Sequence, residues 1–308
     1  MRPNVLYAVA HDLRHDVDAE SLDAIASDRG VRFTMSMANA PYCSPSRNSF
    51  FTGRRPAVTR MHTFDKQDAR TYAPLARAPG ALRPAWTALP LAFADANYST
   101  FGAGITVEDF RGSSTRCPDC WTDGYFLDWP DSEEMDWSTF DATVATASIA
   151  WLGSHAATHA ATHAATTGGR PFFLMVGFHG GHKPWPQEPE LHAAVGASDY
   201  TLRHGDLRLW HKPMGTGAFV SPVQTRLELK GQWGSIEGGE FSIAQHEGIR
   251  RGYLVNAHRF DEAFGRVLTA VRSHGYWDHT IVLFHGDHGC VRAGKSVSVF
   301  SLVFSRAW

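Results

Sequence analysis

Charged residues are scarce in this chain, and neither sign dominates. Lysine, arginine, aspartate and glutamate make up 19% of the 308 residues, and the formal net charge is -2. A protein that binds nucleic acid or an anionic membrane surface needs a basic face, which this composition does not supply. We therefore expect no nucleic-acid partner, and a small anionic substrate would need a local positive site.

Long apolar stretches are also missing. The sequence contains no run of about 18 apolar residues, so we expect no membrane span. Met1 leads directly into a short apolar strand, without the three-part pattern of a signal peptide. Asn97-Tyr98-Ser99 is a candidate glycosylation sequence of the kind used in secreted proteins, so the compartment stays open.

Cysteine is rare as well. The four cysteines are too few and too irregularly spaced for a disulfide scaffold, and they are Cys43, Cys117, Cys120 and Cys290. Cys117 and Cys120 have the spacing of half a zinc site or of a redox pair, but no second pair follows at ligand spacing. We interpret them as a loop disulfide or as two ordinary thiols.

Three short apolar runs each end in acidic or histidine residues. The runs are Val5 to Ala10, Phe172 to Phe178 and Ile281 to Phe284, and the polar residues after them are His11, Asp12, His179, His182, His285, Asp287 and His288. Continuous apolar runs are typical of parallel strands buried on both faces, and ligands bind beyond the carboxyl ends of such strands. We predict an α/β fold with a mostly parallel central sheet flanked by helices, and one site where the runs converge.

Helical spacing of apolar residues marks two segments between the strands. One runs from Tyr253 to Val271 with a stop at His274-Gly275, and the other from about Asp141 to Leu152. The second continues into a His-Ala-Ala-Thr repeat from His155 to Thr166, within a low-complexity insert at 153–170. Its histidines share one helix face and suit a transition metal, but we favour a plain helix extension.

The segment around Cys43 combines a nucleophile with features of an anion site. Cys43 or Ser44 is expected at or before a helix cap, with Pro45 in the first turn. Gly53 suits the left-handed residue that ends the helix. Backbone N–H groups at a helix start bind sulfate or phosphate, and Arg47 adds a fixed positive group. By itself, a cysteine near an arginine is more often a buried thiol.

Cys43-x-Pro45-Ser46-Arg47, followed after four residues by Thr52-Gly53-Arg54, resembles the sulfatase signature at every defining position. The resemblance covers most of the chain from Arg2 to Gly289 and is nearest to the iduronate-2-sulfatase branch. It implies an alkaline-phosphatase-like fold and oxidation of Cys43 to formylglycine. One hydroxyl of the hydrated aldehyde would attack sulfur and the other would expel sulfate, so the expected activity is hydrolysis of a sulfate ester.

The resemblance also implies the extent of the domain. Residues 1–308 would form one sulfatase catalytic domain, truncated after about residue 290, with the C-terminal subdomain of the family missing. Residues from Thr201 to Phe241 show no sustained period and are expected to be loop-rich surface. Val297 to Trp308 is apolar enough for a strand, which we expect to leave a sheet edge exposed.

A divalent metal site follows from the same resemblance. The family binds Ca²⁺ through oxygen-rich ligands, and the residues at the corresponding positions here, beside residue 43, are His11, Asp12, Asp287 and His288. His11 stands where the family has an acid. One charge and one hard ligand are thereby lost, which favours a transition metal over Ca²⁺, or leaves His11 a bystander in an incomplete site.

His182 corresponds to the histidine that contacts the substrate sulfate in the family. A histidine near its ordinary pKa can protonate a leaving alkoxide, so we assign this role to His182 rather than to His179. The alternative is a loop histidine that merely caps the end of a strand.

Two groups of the expected sulfate site are missing. The lysine and histidine of the family correspond to Ile105 and Glu108, and Lys183 and Lys295 are only weak substitutes. Each lost contact to a transition-state oxyanion costs on the order of 3 kcal/mol, so two losses would slow the reaction by roughly 10⁴.

Two alternatives to an active sulfatase therefore stay open. One is a catalytically degenerate member that binds sulfated ligands without turnover, and the other is a phosphodiesterase or phosphonate hydrolase on the same scaffold. An active sulfatase would need a sulfated small molecule or glycan as substrate and a formylglycine-generating enzyme for maturation. The resemblance implies a lysosomal, secreted or periplasmic location.

Overall fold

The structure is a computed structural model of the 308-residue chain. It describes residues 2–14, 17, 19–28, 30–59, 61–62, 87–107, 120–126, 136–163, 169–194, 243–291, 294–296 and 301–305. These residues form an α/β fold with helices on both faces of one central sheet.

Seven strands make up the central sheet. They are β1 Asn4–Ala10, β2 Gly30–Phe33, β3 Ser99–Gly104, β4 Tyr125–Phe126, β5 Phe172–Phe178, β6 Thr280–Gly286 and β9 Ser301–Ser305. Their order across the sheet is β2-β9-β6-β1-β5-β3-β4, and β1, β3, β4, β5 and β6 run parallel. Two further strands, β7 (Gly289–Val291) and β8 (Gly294–Ser296), pair as a separate antiparallel hairpin. The predicted mostly parallel sheet is confirmed.

Strand β1 lies at the centre of the parallel part. Val5 is opposite Phe173 of β5 on one side and Ile281 of β6 on the other. All seven residues of β1 and of β5 are buried. The three continuous apolar runs of the sequence are therefore neighbouring strands. Burial on both faces explains the lack of alternation in β1 and β5, whereas in β6 buried and partly buried residues alternate.

Strand β9 corrects the expectation for the last apolar segment. It pairs antiparallel with β6, with Leu283 opposite Val303, and antiparallel with β2, with Val31 opposite Val303. It therefore lies inside the sheet, and β2 forms the edge instead. Local sequence pattern could not reveal this, because the partner β2 is contributed from more than 250 positions earlier in the chain.

The described residues also form seven helices. They are α1 Glu20–Ser27, α2 Cys43–Thr52, α3 Pro56–Thr59, α4 Leu89–Asp95, α5 Phe140–His163, α6 Pro189–Ala194 and α7 Ile243–Ser273, with a 3₁₀ turn at Trp277–His279. Leu6 and Ala8 of β1 belong to the core shared with α1, α5 and α7. Val5 and Tyr7 face the opposite core, which includes Phe51 of α2. Alternate residues of one strand thus anchor the two helical layers.

The repeat segment continues helix α5, as predicted. The helix runs without interruption through His163. His155, the first repeat histidine, is buried, and its Nδ1 lies 2.8 Å from the hydroxyl of Tyr276. The side chains of His159 and His163 lie outside the described part of the chain. For His155 the structure supports packing rather than metal binding.

Three smaller expectations concern the cysteine pair, the segment from Thr201 to Phe241 and membrane spans. Cys120 is disulfide-bonded, which excludes an ordinary thiol at this position, the second of our two interpretations, and Cys117 is outside the described residues. The predicted loop-rich segment from Thr201 to Phe241 also lies outside them. Among the helices that the structure describes, none combines the length and the apolar character required to cross a bilayer.

Candidate active site

The carboxyl ends of β1, β5 and β6 meet at one edge of the sheet, and backbone hydrogen bonds join the loops that follow them. The N–H of His11 donates to the carbonyl of Phe178 at 3.1 Å, and the N–H of Asp287 donates to that of Ala10 at 3.0 Å. The N–H of Gly181 donates to the carbonyl of His11 at 2.9 Å. The three polar segments converge as the sequence predicted.

Helix α2 brings Cys43 to the same edge. Tyr42 has extended backbone angles and forms the N-cap, so Cys43 is the first helical residue rather than the cap that the sequence suggested. Gly53 ends the helix with a φ of 65°, as predicted for a left-handed residue. Cys43 is only 1% exposed. Its side chain therefore points into the protein at the positive end of a helix dipole.

Two histidines flank the sulfur of Cys43. The Nε2 atoms of His11 and His288 lie 2.8 Å and 3.1 Å from Sγ, and both residues are fully buried. A thiol carries a single proton, so it cannot donate to both rings, and at least one imidazole must donate to the sulfur.

Asp12 and Asp287 bring carboxylates to these rings. Oδ1 of Asp287 accepts the backbone N–H groups of Asp12 at 2.9 Å and of His288 at 2.8 Å. Oδ1 of Asp12 lies 3.2 Å from Nδ1 of His288. Asp12 has a φ of 55°, and the hydroxyl of Tyr253 holds this turn by donating to the Asp12 carbonyl and accepting the N–H of Arg14, both at 2.9 Å.

Arg47 is fully buried beside Asp287. Its Nε donates to Oδ2 of Asp287 at 3.0 Å, and its Nη1 donates to the carbonyl of Ile105. The hydroxyl of Ser46 donates to the carbonyl of Asp287. The guanidinium therefore serves as the counter-charge of a candidate metal ligand. Direct contact between Arg47 and a bound anion stays a prediction.

His182 lies over the ring of His11. The two ring centroids are 4.1 Å apart in a stacked arrangement, and Nε2 of His182 is 3.9 Å from Oδ2 of Asp12. The side chain is 14% exposed, more than that of His11 or His288. Asn256 of α7 holds this loop by donating to the carbonyls of His182 and Pro184, both at 2.9 Å.

His179, the competing candidate, is enclosed instead. Its ring stacks on Trp137, and its Nε2 lies 3.0 Å from the carbonyl of Lys183. Burial lowers the pKa of His179 to about 3, and the nearby charge of His182 is the second cause. A ring that stays neutral at physiological pH cannot donate a proton to a leaving group. The geometry is consistent with the choice of His182.

Asp141, at the start of α5, holds the backbone of the loop that carries His179 and His182. Its Oδ1 accepts the N–H of His179 at 2.6 Å and its Oδ2 accepts the N–H of Gly180 at 3.1 Å. Burial raises the pKa of Asp141 to about 7, against the lowering effect of these two N–H groups. The position of the His182 loop therefore depends on a buried carboxyl group that titrates near neutral pH.

A buried group of side chains has the composition of a metal site. His11, Asp12, Cys43 and His288 each offer one ligand atom, and these atoms lie within 4.8 Å of one another. Oδ2 of Asp287 lies 3.4 Å from Nε2 of His11 and 3.6 Å from Nε2 of His288. The group fits a divalent cation. It fits Ca²⁺ less well, since that ion takes six to eight oxygen ligands, whereas His11 and His288 offer nitrogen and Cys43, before any conversion, offers sulfur.

Comparison with known families shows which family the chain belongs to. The sequence profile of the family named Sulfatase matches residues 8–296, which include all five candidate ligands and the Cys43 segment. The chain belongs to the sulfatase family. The resemblance of the signature is thereby confirmed across nearly the whole chain.

Individual sulfatases and their relatives agree with this assignment. Iduronate 2-sulfatase of Homo sapiens is 23% identical over 315 residues, which cover 93% of this chain and 54% of that protein. This sulfatase chain therefore spans about half the length of the curated relatives that it matches first.

Solved structures show the same fold. A protein in complex with its substrate D-glucosamine-2-N,6-O-disulfate aligns with a TM-score of 0.64 and 15% identity, over 99% of this sulfatase and 72% of that chain. The phosphonate monoester hydrolase of Agrobacterium radiobacter aligns with a TM-score of 0.59 and 19% identity, over 99% and 68%. The sheet and its helices are those of a sulfatase N-terminal domain.

For the remaining predicted residues of the sulfatase site, the structure describes few side-chain contacts or none. Ile105 is buried and offers only its carbonyl, and Glu108 lies outside the described residues. The carbonyl of Lys183 lies 2.6 Å from Nδ1 of His182. The backbone of Lys295 lies in β8 opposite Cys290, and its side chain is outside the described part. Substrate contacts by Lys183 and Lys295 stay predictions.

Three residues of the sulfatase site were not anticipated from the sequence. Tyr253 appeared only as one apolar position of a helix, Asp141 only as the start of another, and Asn256 not at all. The sequence did contain a signal for two of them, because Tyr253 and Asp141 lie on the inner faces of predicted helices and buried polar groups need hydrogen-bond partners. Their partners lie far away in the chain, so the partners could not be named.

Proposed function

We propose that this sulfatase hydrolyses sulfate esters on sulfated glycans, using formylglycine made from Cys43 as the nucleophile and one divalent cation beside it. The position of Cys43 carries the proposal, because it is the first residue of α2 and lies buried between two imidazoles next to Asp12 and Asp287. The glycan is suggested by the name iduronate 2-sulfatase and by the disulfated glucosamine bound to one structural relative.

The start of α2 supports the binding of a sulfate group. Backbone N–H groups in the first turn of a helix and the helix dipole both favour an anion next to residue 43. A bound divalent cation would neutralise part of the sulfate charge and hold the nucleophile in place. Arg47 keeps Asp287 in position for that ion through the hydrogen bond from its Nε.

His182 is suited to donate a proton to the leaving oxygen. Its Nδ1 lies 2.6 Å from the carbonyl of Lys183, which can only accept, so Nδ1 carries a proton. Proton exchange is then left to Nε2, which faces Asp12. This atom is the one that would protonate the alkoxide as the sulfur–oxygen bond breaks.

Activity also requires partners outside the chain. A formylglycine-generating enzyme would have to convert Cys43, and the substrate would be a sulfated small molecule or glycan. The matching compartment is lysosomal, secreted or periplasmic. Tracking a tagged protein in its native cell checks this compartment.

Sulfate release from a chromogenic aryl sulfate tests the proposal. We expect turnover by the wild type and a loss of at least about 10³-fold in Cys43→Ala, because no other described group can replace the nucleophile. His258→Ala, a change on the exposed face of α7, is the matched control and should keep full activity. Equal turnover by Cys43→Ala would contradict the proposal.

The family match and the curated relatives do not favour the two alternatives. A degenerate binding protein would retain sulfated glycans without any release of sulfate. A phosphodiesterase or phosphonate hydrolase would turn over the aryl phosphate diester or phosphonate faster than the aryl sulfate. The same assay with the three esters therefore separates all three functions.

A further inference from the structure

The donor atoms around Cys43 differ in kind from those of a calcium site. Two imidazole nitrogens, Nε2 of His11 and Nε2 of His288, each lie within 3.1 Å of the sulfur of Cys43. The carboxylates of Asp12 and Asp287 add side-chain oxygen to this group. Calcium binds nitrogen and sulfur weakly, whereas zinc and its neighbours in the first transition series bind both well.

We propose that this site takes a borderline transition ion of the zinc class in preference to Ca²⁺, with His11 as the residue that decides the selection. In the unconverted chain the sulfur of Cys43 is one of the ligands. After conversion of Cys43, the nitrogens of His11 and His288 still provide the selection. The purpose of the ion rests on the proposed function, but the identity of the ion does not.

The spacing of the atoms suits a small four-coordinate ion. Zinc bonds of roughly 2.0–2.3 Å in a tetrahedral arrangement place neighbouring ligand atoms about 3.3–3.6 Å apart. The distances from the two Nε2 atoms to Oδ2 of Asp287 are 3.4 Å and 3.6 Å. The two distances to the sulfur of Cys43 are shorter, at 2.8 Å and 3.1 Å. Binding thus requires only a small outward shift of the sulfur.

The surroundings of His288 orient it as a metal ligand. Its Nδ1 lies 3.1 Å from the carbonyl of Gly289 and 3.2 Å from Oδ1 of Asp12, so this nitrogen carries the proton. Nε2, which faces Cys43, then carries the lone pair that a metal ion would bind. Ligating histidines in metalloproteins are held in this way through their second nitrogen.

The charge of the site also matches a divalent ion. A thiolate at Cys43 and the carboxylate of Asp12 provide two negative charges, while the charge of Asp287 is offset by Arg47 at 3.0 Å. The two rings contribute as neutral ligands. An acid in place of His11 would add a negative charge and a hard oxygen, which is the direction that favours calcium.

Metal analysis of the purified full chain tests the inference. The protein is made in a host that lacks the maturation enzyme, so that Cys43 stays a thiol, then stripped with a chelator and dialysed against equal concentrations of Zn²⁺ and Ca²⁺. We expect about one zinc ion per chain and less than about a tenth of that in calcium. Co²⁺ should give a sulfur-to-metal charge-transfer band that Cys43→Ala lacks.

Two variants distinguish the effect of His11 on metal selection from the effect of adding a carboxylate anywhere on the protein. His11→Asp should shift the ratio of the Zn²⁺ and Ca²⁺ dissociation constants by at least about 100-fold toward calcium. His258→Asp, the same change on the exposed face of α7, should leave the ratio unchanged. If His11→Asp does not fold, Cys43→Ala still reports, because it should keep zinc selectivity while losing about 10-fold to 100-fold in affinity.

The outcomes also separate this inference from the proposed function. Calcium preference in the wild type, or stoichiometric binding of neither ion, overturns the inference. A zinc-selective chain that releases no sulfate after conversion supports the inference and contradicts the proposed function.

Discussion

At the scale of single residues, His182 and His179 have different surroundings although they lie three positions apart. His182 is partly exposed above His11, while His179 is buried against Trp137 with a pKa of about 3. The sequence placed both after the same strand and gave no reason for this difference beyond the family resemblance. The reason is tertiary, because Trp137 and Asp141 come from the start of another helix.

Replacement of His182 by alanine should depend on the leaving group. For an alkyl sulfate, whose alkoxide needs a proton, we expect the rate to fall by roughly 10²–10⁴. For an aryl sulfate with an acidic phenol, the fall should be much smaller. His258→Ala serves as the control on both esters, and equal losses on the two substrates would rule out proton donation by His182.

Asp141 should make stability depend on pH. Its pKa is about 7 in the folded chain and about 3.9 when unfolded, so folding favours the protonated form. This stabilisation is complete below about pH 4 and is lost as the pH rises to about 7, a loss on the order of 4 kcal/mol at most. In Asp141→Asn, which has no carboxyl group at this position, this loss of stability with rising pH should be absent.

Urea denaturation of both proteins across this pH range measures the difference. Histidines and the other carboxyl groups titrate in both proteins, so their effects cancel when one curve is subtracted from the other. The free energy of unfolding of the wild type should decline relative to that of Asp141→Asn between about pH 4 and pH 7. Parallel curves would show that Asp141 is ionised throughout.

At the scale of elements, close backbone approach explains Gly177 but not Gly153. A Cβ at Gly177, the last residue but one of β5, would lie 1.8 Å from the carbonyl oxygen of Ile105. That loop carries the carbonyl bound by Arg47, so the strand and the loop cannot separate without disturbing the site. At Gly153 in α5, the nearest atom to an added Cβ is 3.6 Å away, on the flexible side chain of His274.

The two alanine substitutions should therefore act in opposite directions. Gly177→Ala should cost about 3 kcal/mol of stability or more, since backbone atoms have to move. Gly153→Ala should add about 0.5–1 kcal/mol, because alanine loses less conformational freedom in a helix. Chemical denaturation gives both values, and a destabilised Gly153→Ala would contradict the described packing of α5.

The elements themselves were largely predictable, but their arrangement was not. Apolar runs and helical spacing predicted β1, β5, β6, α5 and α7 close to their observed positions. The place of β9 between β6 and β2 was predicted wrongly as an exposed edge. Pairing of β9 with β2 depends on contacts across most of the chain, for which hydrophobic periodicity has no signal.

At the scale of the whole molecule, the site is assembled from four distant parts of the chain. His11 and Asp12, Cys43, His182, and Asp287 with His288 come together only when β1, β5 and β6 are side by side. The strand-end rule for α/β sheets predicted this convergence. It could not predict that Arg47 would pair with Asp287, since that contact joins residues 240 positions apart.

Because the ligands come from such distant segments, an ion that binds them should stabilise the entire fold. Zn²⁺ at 100 times its dissociation constant should raise the free energy of unfolding by about 2.7 kcal/mol. A chelator should remove this gain and lower the melting temperature. Calorimetry with and without Zn²⁺ measures this stabilisation. An unchanged melting curve would mean that the cluster holds no ion in the folded chain.

The mass of the tryptic peptide Phe33–Arg47, from protein made in a host with the maturation enzyme, tests the central conclusion most directly. Conversion of Cys43 to formylglycine replaces sulfur by oxygen and removes two hydrogens. We expect the peptide to be lighter by this difference and the converted protein to release sulfate. A peptide that keeps an unmodified thiol under these conditions would contradict a formylglycine-dependent function for this site.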